Sequence, residues 1–148
     1  MQLTKTRTRV GKRAPKVVIN EAHIARFELL ADAAWARFPE LSDRLVDELS
    51  RARIVAPKKL PAKVVDIGRL VTYRDDTTGE EHSVTPVFPE DADISKGLVS
   101  LMTPLGVALL GLAEGARFYW DARDGTRRPL TVIRVAPPET DAPGAPSL

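Results

Sequence analysis

Six basic side chains, Lys5, Arg7, Arg9, Lys12, Arg13 and Lys16, stand within the first 16 residues, with no acid among them. Ammonium and guanidinium groups at this density can neutralise phosphates, an attraction that weakens with salt and ignores base sequence. The same composition describes a solvated terminus, and residues 1–16 are expected to be a disordered basic arm. The remaining groups capable of chemistry are dispersed. His23 and His82 are the only histidines, and neither has a cysteine or a second histidine at ligand spacing. The run Glu90-Asp91-Ala92-Asp93 lacks the alternating oxygen ligands and terminal glutamate of an EF-hand. It reads as a turn, with Asp93 capping a short helical stretch through Lys96. No Walker loop, GxGxxG run or Ser-His-Asp grouping occurs. No metal, no cofactor and no catalysis is expected.

Composition narrows the class further. The chain has 148 residues and no cysteine, which removes disulfides, cysteine-ligated zinc and thiol nucleophiles. No apolar run approaches the ~18 residues of a membrane span, and the first residues lack the apolar centre of a secretion signal. A soluble cytoplasmic protein is expected, with no membrane partner and no small-molecule substrate. Of the 22 basic residues, 16 lie beyond the arm against 20 acidic ones, so the body is net negative although the whole chain is +2.

The elements that must position these groups are legible as two blocks. Ile24, Phe27, Leu30, Ala34 and Phe38 recur at helical spacing, which predicts a helix from Asn20 to Phe38, N-capped by Asn20 and ended by Pro39. Leu41, Leu45, Leu49 and Ala52 predict a second helix running to Val55. So short a connection makes the two antiparallel, a hairpin over residues 17–56 with its tip near Pro39–Asp43. Two prolines and two lysines in Pro57–Pro61 lead into a second block, residues 57–137. There, 69–74 and 82–88 read as a strand hairpin, with Pro86 marking an edge or a bulge. Thr103-Pro104-Leu105-Gly106-Val107-Ala108-Leu109-Leu110-Gly111 reads as a short buried helix that Pro104 opens and Gly111 stops. Strands follow at 116–120 and 130–135, giving an α+β class. Residues 138–148, rich in proline and without an apolar face, are expected to be disordered.

Ala92-Asp93-Ile94-x-x-Gly97, the Thr103–Gly111 segment and Gly115, in that order and spacing, resemble the C-terminal domain of the bacterial GreA/GreB transcript-cleavage factors. The hairpin in front is shorter than theirs. That arrangement is similar to a smaller relative, the Rnk family, called regulators of nucleoside diphosphate kinase. The resemblance spans residues 17–136 and implies an FKBP-like antiparallel sheet with one short helix behind a short coiled coil. It also implies a partner, RNA polymerase, bound at the mouth of its secondary channel. The docking loop of the Gre factors maps onto Met102, Thr103 and Pro104. Met102 departs from the polar residue usual there. An alternative role for the three is structural: cap, helix opener and core.

In the cleavage factors two acids at the hairpin tip help hold a second magnesium, a cation that takes oxygen ligands and few protein carboxylates. Glu40 and Asp43 stand near the tip here, in the order E-x-x-D instead of D-x-x-E. A helix over 20–38 would be only about 28 Å long at 1.5 Å per residue, short of an active centre. Glu40, Asp43, Asp47 and Glu48 are therefore expected to form a solvated face at the start of the second helix, with contact to basic channel walls as the alternative, and transcript cleavage is not expected. The hairpin is expected to project as a stubby prong that plugs the channel. Prolyl isomerisation is set aside, since a fold does not carry its chemistry with it. The expected function is noncatalytic transcription regulation by polymerase binding. The alternative is a nucleic-acid-binding module that uses the basic arm, and a direct effect on a nucleotide kinase is a third, less favoured possibility.

Overall fold

A computed structural model of the chain describes residues 16–121 and 125–137. Its elements are β1 (Val18–Asn20), α1 (Ile24–Ala34), α2 (Pro39–Arg51), β2 (Arg53–Val55), β3 (Leu70–Asp75), β4 (Glu81–Val87), β5 (Leu98–Ser100), α3 (Pro104–Leu109), β6 (Arg117–Asp121) and β7 (Arg127–Ala136). The last five strands form one sheet in the order β5-β4-β3-β7-β6. Its pairs are antiparallel except β4 with β5, which is parallel, so the α+β expectation holds with a mixed sheet.

The first helix is shorter than its periodicity predicts. Val18 and Ile19 pair in parallel with Arg53 and Ile54 as a two-stranded ribbon. Asn20 is a cap, its Oδ1 accepting from the Ala22 amide at 2.9 Å, but it caps a 3-10 turn, Glu21–His23, that precedes α1. At the other end α1 closes at Ala34 and the chain turns through Trp35–Arg37. Proline at 39 drives this, because the residue before a proline is pushed out of helical geometry, and Phe38 has φ −135° and ψ 65°. Pro39 thus opens α2, and the tip lies one turn earlier than expected.

Pro86 does not sit on an edge strand. Residues 81–84 of β4 pair with β3, whereas 85–87 pair with β5. On the side where β3 has ended, the Pro86 carbonyl accepts from the Gly68 amide at 2.8 Å, so no ladder donor is missed there. The glycine turn and strand start read at Asp93–Ser100 are present, with Asp93 Oδ1 accepting from the Ser95 amide and Gly97 at φ +74°.

The core runs through both blocks. Phe27 and Ala31 of α1 and Leu45 of α2 belong to the same buried cluster as Val71, Leu109, Leu130 and Val132. Polar contacts reinforce the union. Asn20 Nδ2 donates to Asp66 Oδ2 at 3.2 Å, His23 Nε2 lies 3.6 Å from Asp66 Oδ1, and Arg26 pairs with Glu90 and lies 4.1 Å over the Phe88 ring. The expected projecting prong is therefore corrected. Phe27 and Leu45 are fully buried, and lifting the hairpin away would return both to water at about 1.5–3 kcal/mol each.

Candidate docking site at the hairpin tip

The loop before α3 is built by its own side chains. Thr103 Oγ1 accepts from the Gly106 amide at 3.0 Å and donates to the Ser100 carbonyl at 2.9 Å, while the Met102 amide donates to Ser100 Oγ at 3.0 Å. Pro104 takes the first helical position, where its missing N–H costs nothing. Gly106 lets this turn close. A Cβ there would lie 2.7 Å from both the Cα and the carbonyl oxygen of Leu101, so helix and preceding strand meet backbone to backbone. The structural roles read for Thr103 and Pro104 are present. Met102 is half-buried against the core.

Because the hairpin lies along the sheet domain, its tip comes to rest beside this loop. Arg37, Phe38, Leu41 and Arg44 form one wall of a groove of about 570 Å³ and Met102, Thr103 and Pro104 the other. Its apolar floor carries two guanidinium groups at the margin. Arg37 lies over the Phe38 ring at 5.9 Å, and Arg44 Nη2 donates to the Tyr119 carbonyl at 3.4 Å. Phe38 keeps 56% of its surface in water, a large exposed ring that no folding requirement explains.

Of the residues expected at a site, Glu40 shares this groove with Met102, Thr103 and Pro104. Asp43 is exposed on α2 and does not line it. Asp47 is exposed as expected, but Glu48 is not part of a solvated face: it is 9% exposed and holds Arg51 at 2.8 Å. Burial pushes its carboxyl above the ordinary range, against the pull of Arg51 and Arg44. Arg51 three residues on makes that burial possible. Lys16 is exposed, while Lys5, Arg7, Arg9, Lys12 and Arg13 lie outside the described residues. Among the described residues, no three His, Asp or Glu side chains gather into a metal-binding cluster, and no helix is long and apolar enough to cross a membrane. Arg37, Phe38, Leu41 and Arg44 were missed as site residues. The one local signal was Phe38 before Pro39, an aromatic ring placed at a turn.

Two family profiles match this chain. One, "Rnk N-terminus", matches residues 15–55, and the other, "Transcription elongation factor, GreA/GreB, C-term", matches residues 60–137. The chain is 33% identical over 122 residues to the "Regulator of nucleoside diphosphate kinase" of Escherichia coli (strain K12), covering 82% of this chain and 89% of that one. It is 33% identical over 85 residues to "Transcription elongation factor GreA" of Brucella anthropi, covering 57% of this chain and 54% of GreA. Among solved structures, "Prokaryotic transcription elongation factor GreA/GreB from Nitrosomonas europaea" matches with a TM-score of 0.67 at 34% identity, covering 82% of this chain and 98% of that one.

Proposed function

Since the chain belongs to the transcription-factor family that joins an Rnk N-terminus to a GreA/GreB C-terminal domain, we propose that it regulates transcription noncatalytically by binding RNA polymerase at the rim of the secondary channel. The observation that carries this reading is the groove that unites the hairpin tip with the loop Met102–Pro104. An exposed aromatic ring beside half-buried Met102, flanked by two arginines, has the make-up of a protein interface: an apolar centre with a charged margin.

The packed hairpin changes how such a factor acts. With α1 of 11 residues and α2 of 13, the helices are about 16–20 Å long, and the tip sits next to the loop instead of ahead of it. Tip and loop therefore meet the rim as one face, and the protein obstructs the entrance without reaching the active centre. Glu40 and Asp43 stay at the surface, too far back to supply magnesium ligands, and transcript cleavage is absent.

The test is retention of the full chain on immobilised core polymerase, with and without excess GreA. Retention that GreA abolishes is the expected result, with a Phe38→Ala, Met102→Ala double variant retained at least tenfold less. No retention, or retention indifferent to GreA, overturns the assignment of this site.

A further inference from the structure

The sheet has an outer face, away from the core, that the groove does not use. Residues directly opposite one another on paired strands share a face. Thr72 stands opposite Ser83 and Arg134, Arg74 opposite Thr131, Arg117 opposite Thr131, and Tyr119 opposite Pro129. A bulge between Thr72 and Tyr73 absorbs one residue of β7, so Thr131 and Arg134, three apart in sequence, lie on the same side while Val132 and Val135 stay buried. Arg127 completes the row, its guanidinium 5.2 Å from the Tyr119 ring. At about 3.3 Å per residue, Arg127 and Arg134 are some 23 Å apart along β7.

One half-buried carboxylate organises the centre of this face. Asp76 accepts from Arg74 Nε at 2.8 Å, from Arg117 Nε at 3.3 Å and from Thr131 Oγ1 at 2.7 Å. Burial would raise its carboxyl, but these three bonds outweigh that and hold it below the ordinary range, so it stays charged. Both arginines are gripped through Nε. Among the described residues, no acceptor bonds their terminal nitrogens, which leaves two oriented forks. Glu81, opposite Arg74, and Asp121, opposite Arg127, are the other carboxylates that the strand register places on the face. Arg134 is exposed and has no acidic partner among the described residues, and Tyr119 is 44% exposed.

We propose that this outer face binds single-stranded nucleic acid, with the arginine row on successive phosphates and the Tyr119 ring stacked on a base. A row of cations alone would also suit an acidic peptide. The exposed ring beside Arg127, in line with the row, favours a strand that offers phosphates and bases together. The surface shares no lining residue with the groove, although Arg44 bridges the two through the Tyr119 carbonyl, and its test contains no polymerase, so either reading stands or falls without the other.

The test is fluorescence anisotropy of a labelled 12-nucleotide oligothymidylate titrated with the full chain at several salt concentrations. Arg134→Ala is expected to make the log–log salt slope shallower by about 0.7, the value of one phosphate contact on a single strand. Tyr119→Ala is expected to weaken binding at least fivefold, and the double variant at least tenfold. Removing residues 1–15 lowers affinity for any polyanion but leaves both effects in place. Double-variant affinity equal to wild type, binding that vanishes with the arm, or binding to polyglutamate without binding to the oligonucleotide would each overturn the proposal. Should Tyr119→Ala fail to fold, the salt slope of Arg134→Ala decides alone.

Discussion

The Val18 amide donates to the Gly111 carbonyl at 3.0 Å, which bonds the strand that opens the hairpin to the turn that closes α3. Gly111 has φ +81°, and a Cβ there would come within 2.5 Å of Val17 Cγ1 and 3.0 Å of the Val18 carbonyl oxygen. Gly111→Ala therefore combines left-handed backbone strain with overpacking of a buried valine. A loss of about 2–4 kcal/mol is expected, read as a fall in the midpoint of urea unfolding. An unchanged midpoint would mean that the N-terminal segment is not seated there.

Leu45 tests whether the hairpin and the sheet share one core. It is fully buried within the cluster that holds Leu109 and Val132. Leu45→Ala is expected to cost about 2–5 kcal/mol and to lower the melting of helix and sheet together, in a single transition followed by circular dichroism and by Trp fluorescence. Two separate transitions, with only the helical one moved, would restore an independent arm.

Features that depend on neighbouring residues were legible in the sequence. Thr103, Pro104 and Gly111 cap, open and stop α3 as their chemistry requires, and Asp93 and Asn20 both cap. The β1–β2 ribbon was not legible: three-residue strands joined in parallel across 32 intervening positions leave no periodicity to detect. The early end of α1 was available in principle from Pro39, whose effect falls on Phe38 before it. The groove required knowing where the hairpin rests, a matter of long-range packing between Phe27, Leu45 and the sheet. Glu48 read as solvated because its burial depends on Arg51, a pairing that helical spacing permits but does not demand.

Asp76 gives the expected pH dependence. Its folded carboxyl is held below the ordinary value, so its contribution is fully present above about pH 4 and is lost as pH falls through the folded value. Asp76→Asn is expected to cost about 1–3 kcal/mol at pH 7, since Arg74, Arg117 and Thr131 lose a charged acceptor. Denaturation at pH 7 and at pH 2.5 checks this: the gap between wild type and variant narrows in acid. A gap that stays constant would show that the carboxylate charge is not what these donors require.

The central claim, that hairpin tip and α3 loop meet polymerase as one face, is tested most directly by photocrosslinking to core polymerase from a reactive side chain placed singly at positions 40, 102 and 134. Crosslinks from positions 40 and 102 to peptides at the mouth of the secondary channel, suppressed by GreA, are the predicted result. Crosslinking from position 134 alone, or from 40 to the catalytic centre while 102 stays silent, would contradict it.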